Sequence, residues 1–174
     1  LKQVGIEFRV LPSRVEELRR KGEPAATYVK RLSQDKAAEV RERLRTRGLR
    51  SGQVLGADTV VVLGAQVLEK PKNAAEARAM LAKLSGREHR VLTGVAVLPV
   101  GAGKARSVAE TTRVRFRRLS TAEIAAYVAT GEPLDKAGAY GIQGAAGAFV
   151  KGITGCYFNV VGLPLARVVE MLSL

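Results

Sequence analysis

Asp58 stands in Gly56-Ala57-Asp58-Thr59, inside the valine-rich apolar run Gln53–Leu63. An ionised carboxylate among such neighbours is costly unless it is paired, hydrogen-bonded or bound to metal. Sequences carry that kind of local conflict mainly at functional sites. Asp58 therefore reads as a base or metal ligand at a strand end beside a cleft; the competing reading is an aspartate marking a bend between two shorter strands. Lysines are the natural partners. Lys36 lies on the inward stripe of a long helix, and Lys70 sits between Glu69 and Pro71 at the end of a short strand. A lysine there can meet a phosphate as a point charge, although each alone reads equally well as a surface residue. Glu16 and Glu17 could supply a second carboxylate, since magnesium commonly takes one or two together with a substrate's phosphates; otherwise they are solvated.

A second signal is the segment 134–144, with glycines at 138, 141 and 144 and an amide at Gln143. Glycines permit close backbone approach to a ligand, and Gln143 offers a donor and an acceptor to a base edge; a tight structural loop is the alternative. The single histidine, His89, reads as structural or surface, and the single cysteine, Cys156, as a core filler. Those counts exclude an intrachain disulfide, a paired-cysteine metal site and a two-histidine zinc site. Gly101-Ala102-Gly103-Lys104 fails as a phosphate loop, because Leu98 stands at the first glycine position and Ala105 replaces the Ser or Thr.

The elements that must carry these residues alternate. Glu7–Leu11 reads as a short strand ended by Pro12. Pro24 opens a helix running through Arg47 to Gly48, with Tyr28, Val29, Leu32, Ala37, Val40 and Leu44 near one stripe. Gln53–Leu63 is a buried strand and Gln66–Glu69 a second one after the turn at Gly64-Ala65. Asn73 with Glu76, and Ser120 with Glu123, are capping boxes opening helices that end at Gly86 and Gly131. His89–Pro99 and Lys104–Arg118 form a hairpin, a short strand follows near Phe149, and Pro164 opens a last helix. The expected fold is α/β, a single domain over residues 1–174 with a mixed sheet.

The 174 residues are 47% hydrophobic and 26% charged, which excludes disordered and collagen-like chains. No apolar run reaches the roughly 18 residues of a membrane span, and no signal peptide is visible, so a cytoplasmic location is expected. Basic residues outnumber acidic by 29 to 16, a net charge of +13 that calls for an acidic partner or a steered acidic substrate. Arg113, Arg115 and Arg117 alternate with Val114 and Phe116 as a strand with one basic face. Aromatics at 5% supply a base-stacking platform poorly, so a nucleoside triphosphate suits the charge as well as nucleic acid does.

Gly56-Ala57-Asp58-Thr59, Glu69-Lys70-Pro71, Leu84-Ser85-Gly86, the run from Asp135 to Gly144 and Asn159-Val160-Val161-Gly162-Leu163-Pro164 stand in the order seen in the Maf family. Each motif is modest and the series is specific; the resemblance covers essentially the whole chain. It implies a nucleoside triphosphate pyrophosphatase that uses a divalent cation (Mg²⁺ or Mn²⁺) and releases a monophosphate and pyrophosphate. It further implies an elongated mixed sheet flanked by helices, a long cleft similar to that of inosine triphosphatases, and a homodimer.

On the same resemblance Asp58 is the proton acceptor, and Glu17, Lys36 and Lys70 line the cleft; the expected metal ligands are Asp58 and Glu17. Thr59 and Gln143 resemble the dTTP/UTP pyrophosphatase branch, where an amide can pair with the carbonyl and imide of uracil or thymine. The family is also linked to inhibition of septum formation. Its Ser-x-Ser-Pro-Arg-Arg loop, which holds the triphosphate, has no match here: the similarity starts at Leu1, and the expectation is that an N-terminal strand and this loop are missing. Two other readings stay open, a non-catalytic nucleotide- or nucleic-acid-binding regulator of cell division and an inosine triphosphatase.

Overall fold

Pro24, with φ −60° and extended ψ, delivers the chain into helix α1 (Ala25–Thr46), a position its fixed φ suits and its missing N–H does not harm. Tyr28, Val29, Leu32, Ala37 and Val40 are buried along one side, as the stripe predicts. The helix stops where Gly48 takes a φ of +86°, and the Gly48 N–H bonds to the carbonyl of Arg45. Strand β1 (Gln53–Leu63) follows and is unbroken through Asp58, so no bend separates two shorter strands there. Gly64, at φ +60°, turns the chain into β2 (Gln66–Leu68), which pairs antiparallel with Val61–Leu63.

The helix caps act as their residues predict, with one difference. In α2 (Ala74–Leu84) the Asn73 Oδ1 accepts the Glu76 N–H at 2.9 Å. The Glu76 carboxylate, however, accepts from the N–H of Lys72 rather than that of Asn73, so the box is shifted by one residue. In α3 (Thr121–Ala129) Ser120 and Glu123 close the box in both directions. Between these helices run β3 (Glu88–Pro99) and β4 (Arg106–Phe116). After short 3₁₀ turns between Glu132 and Phe149 come β5 (Val150–Thr154), a five-residue helix α4 (Tyr157–Val161) that the sequence reading lacks, and α5 (Leu165–Leu172). The sheet order is β2-β1-β3-β4-β5, with β5 antiparallel to β4. The α/β class is the expected one, but the five-stranded sheet is antiparallel rather than mixed.

The computed structural model describes residues 1–172. These fall into two compact units, one built from residues 1–58, 94–109 and the C-terminal segment from Leu165, the other from 59–93 and 110–164. The first has a core of Ala37, Val40, Val54, Ala96, Leu98 and Val100. The second centres on Val61, Leu81, Val91, Val114, Phe116 and Phe149 beneath α2 and α3. The expected strand at Glu7–Leu11 is absent. Phe8 and Val10 are 45% and 77% exposed, and an extended segment whose apolar side chains find no burial gains nothing that would hold it in a ladder. Among the described residues no helix is long and apolar enough to cross a membrane.

His89 is structural, as read. Its Nε2 lies 2.8 Å from the Tyr140 hydroxyl, and its ring meets Phe116 and Tyr140 edge-on. Burial pushes its pKa down to about 4. Between the ordinary value of 6.5 and 4 the unfolded chain binds a proton that the native ring refuses, so stability falls as pH drops through that window, at up to about 1.4 kcal/mol per pH unit. Urea unfolding at pH 7, 5.5 and 4.5 should show that decline, and His89→Phe should flatten it whatever its own absolute stability.

Candidate functional site

The two residues that bring α1 onto the sheet are glycines. A Cβ on Gly56 would lie 2.3 Å from the carbonyl oxygen of Ser33, and one on Gly94 would lie 2.0 Å from that of Val29. Only glycine lets the helix backbone sit this low on β1 and β3. Residues two apart on a strand share a face, and residues three or four apart on a helix share a side. Seating Gly56 under Ser33 and Ala37 therefore places Asp58 under Lys36.

The outcome is an ammonium between two carboxylates. Lys36 Nζ lies 2.8 Å from Asp58 Oδ1 and 2.6 Å from Glu17 Oε1. The Asp58 side chain is only 10% exposed, that of Glu17 42%. Burial alone would lower the pKa of Lys36, but the hydrogen bonds and charges of Asp58 and Glu17 outweigh it and raise the value. The buried aspartate that the sequence flags is thus paired by Lys36, whose ammonium Glu17 shares.

Glu17 sits on an irregular segment and needs something to hold it. Arg31, on α1, grips the Glu23 carboxylate with Nε at 2.7 Å and a terminal nitrogen at 2.8 Å. This fork is the strong form of the pair, and it holds the Glu23 carboxyl down at about 2. The same guanidinium donates to the carbonyl of Leu18, and Tyr28 donates its hydroxyl to the carbonyl of Glu17. Glu23, Arg31 and Tyr28 thus tie Glu17–Glu23 to α1. Sequence reasoning missed this hub, because no spacing rule joins a loop carboxylate to an arginine in the second turn of the following helix.

Thr59 and the glycine segment belong to the other unit. Thr59 turns its hydroxyl to Thr93 on the neighbouring strand, at 2.9 Å. The proton of Thr93 already goes to the carbonyl of Asn159, so Thr59 must be the donor to Thr93 and keeps only lone pairs for any other partner. Asn159 in turn donates to Val91 O and Thr112 Oγ1, closing a buried polar chain. Strand alternation sends Asp58 and Thr59 to opposite faces of β1, so Thr59 does not join the lysine cluster.

Lys70, just past β2, is exposed. The Gly138 N–H donates to the Glu69 carbonyl next to it, and the positive charge of Lys70 assists Lys136 in lowering the pKa of Asp135. Lys70 and the glycine segment therefore face one another. Gly138 takes φ +67°, and a Cβ there would lie 2.7 Å from the Val61 side chain. Ala139, at φ +61°, is the one non-glycine left-handed residue among the described ones, strain of a kind that clusters at functional loops. Gln143 is exposed on this segment. Cys156 is half-buried, and its N–H donates to Thr112, consistent with a structural part.

Among the described residues no three His, Cys, Asp or Glu side chains stand together to hold a metal. Asp58 and Glu17 offer hard oxygen donors around one cation position, a set that fits magnesium only when phosphate oxygens or waters complete it.

The α/β chain thus holds an Asp–Lys–Glu cluster in one unit and, in the other, a lysine beside a glycine segment with left-handed residues. The chain belongs to the Maf family, matching the Maf-like protein description over residues 1–174. Relatives named dTTP/UTP pyrophosphatase are similar over nearly the whole of this chain. The protein of Pelotomaculum thermopropionicum is 49% identical over 99% of this chain and 88% of its own length. That of Anaeromyxobacter sp. is 51% identical over 99% and 81%, and that of Moorella thermoacetica 49% identical over 100% and 87%.

Replacing Lys36 by Met leaves two carboxylates facing each other without their cation. The expected cost is about 2 kcal/mol, below that of a fully buried pair because Glu17 is partly solvated, read as a lower urea midpoint. Because the native pKa of Lys36 is raised above its ordinary 10.5, the difference between wild type and Lys36→Met should stay constant from neutral pH to about 10 and shrink only above it.

Proposed function

We propose that this protein hydrolyses nucleoside triphosphates, dTTP and UTP foremost and modified pyrimidine analogues with them, to the monophosphate and pyrophosphate. The observation that carries the reading is the Asp58–Lys36–Glu17 cluster, found in a chain about half identical to relatives named for that reaction.

Asp58 takes the proton of a water attacking the α-phosphorus; the new P–O bond forms on the monophosphate as the bond to the bridging oxygen breaks and pyrophosphate leaves with its electrons. Lys36 holds Asp58 in place and, with Lys70, offsets charge gathering on the leaving group. Asp58 and Glu17 would hold the divalent cation, Mg²⁺ or Mn²⁺, whose chemistry is to polarise phosphate oxygens and neutralise their charge. Gln143 reads the base edge by its amide. Thr59, able only to accept, suits a donor such as the imide N–H of uracil or thymine. A homodimer, a cytoplasmic location and a role in septum formation complete the proposal on family resemblance alone, as does the reading of 1–174 as a single Maf-like domain.

The test is a panel of nucleoside triphosphates with Mg²⁺ or Mn²⁺, products separated by chromatography, beside Asp58→Asn. UMP and dTMP with equimolar pyrophosphate are expected, and the substitution should lower kcat by about 10²- to 10⁴-fold while nucleotide binding stays detectable. ITP outrunning UTP would favour the inosine triphosphatase reading. Absence of pyrophosphate from every triphosphate, together with nucleic-acid binding that falls steeply with salt, would favour the regulator.

A further inference from the structure

Gln143 is exposed on a segment of glycines, yet the backbone is fastened on one side of it to Tyr127 and on the other to Glu132, two side chains that bond to each other. The Gly141 N–H donates to the hydroxyl of Tyr127 at 3.2 Å, and the Ala145 N–H donates to Glu132 Oε2 at 3.3 Å. Tyr127 in turn donates its hydroxyl to Glu132 Oε1 at 3.0 Å. The proton accounting is complete: burial pushes the Tyr127 phenol up, so it keeps its proton, gives it to the carboxylate, and takes the glycine N–H on its lone pair.

The seat is built for this carboxylate. A Cβ on Gly144 would lie 2.0 Å from Glu132 Oε1, and one on Gly141 would lie 3.3 Å from the same oxygen. The two glycines flanking Gln143 are therefore the space that Glu132 fills. Tyr127 is itself fixed, 96% buried with its ring edge-on to Phe149 at 5.2 Å. A rigid helix residue and a carboxylate just past its end thus hold residues 141–145 in one shape.

We infer that Tyr127 and Glu132 are positioning residues for base selection: they form a clamp that presents the Gln143 amide to the pyrimidine ring. The inference rests on the proposed reading of Gln143 as the base reader. The clamp touches only backbone on either side of the amide, so its effect on a substrate passes through Gln143. Glycines that would otherwise let the loop sample many shapes are given one, and the entropy of ordering the amide is met before the nucleotide arrives.

The experiment measures kcat/KM for UTP and for CTP in wild type, Gln143→Ala, Tyr127→Phe, Glu132→Ala and the Tyr127→Phe/Gln143→Ala double variant, with melting temperature recorded for each. Tyr127→Phe keeps the ring packing and removes both hydroxyl bonds, so it serves even where Glu132→Ala fails to fold. Gln143→Ala is expected to cut the preference for UTP over CTP by about tenfold or more. Tyr127→Phe should lower the same ratio several-fold, chiefly through KM for UTP, with kcat falling by a smaller factor. The double variant should discriminate no worse than Gln143→Ala alone. A folded Tyr127→Phe that keeps the wild-type ratio, or losses that multiply in the double variant, would overturn the clamp while leaving the enzyme reading in place. A wild type that turns over UTP and CTP alike, or a Gln143→Ala that keeps the ratio, would overturn the base-reading role of Gln143 and the clamp with it.

Discussion

The ammonium of Lys36 between Asp58 and Glu17 is the interaction on which the unit containing them depends. A carboxylate one-tenth exposed on a strand of valines could not stay ionised at little cost without it. The partner has to be a lysine of suitable reach on a helix lying unusually close to the sheet. That closeness requires glycine at both 56 and 94, where any side chain would strike the helix backbone. Lysine also suits the geometry better than arginine. Its compact charge carries three N–H groups that point apart, so two carboxylates from different elements can share it. A planar guanidinium favours a side-by-side grip on a single carboxylate, which is how Arg31 holds Glu23.

Much of this was legible in the sequence because the signals were local. Pro24 and Gly48 bracket α1, Ser120 and Glu123 bracket the start of α3, and the β-branched run from Gln53 fixes β1 to the residue. Asp58, Lys36 and Glu17 were each nominated, two of them by a conflict or a stripe that local rules can see. Glu7–Leu11 failed for a general reason: alternation states which side chains would be buried on a strand, but not whether a partner strand exists. The short helix α4 escaped because five residues carry too little periodicity to be read.

The rest was invisible because it joins residues with no sequence rule between them. Arg31 and Glu23 are eight apart, Thr59 and Thr93 thirty-four, and Tyr127 meets Gly141 across fourteen. In the sequence the glycines of 138–144 read as room for a ligand. At Gly144 the room is taken by a carboxylate of the protein itself, and at Gly138 by Val61. Composition reports that space is needed at a position; only the fold reports what occupies it.

Charge poses the remaining constraint. The chain carries a net +13, which attracts a polyanion from a distance. At the cluster itself two carboxylates share one ammonium, so on the proposed reading a triphosphate drawn in by the arginines meets carboxylate oxygens that repel it at short range. The field of the whole chain cannot cancel that repulsion, because screening at physiological ionic strength limits surface charges to about 8 Å. On the same reading a divalent cation arriving with the phosphates would offset that repulsion, with the oxygens of Asp58 and Glu17 as its protein ligands. Under the proposed reading, this is why a site whose resident cation is a lysine would take its triphosphate as the metal complex.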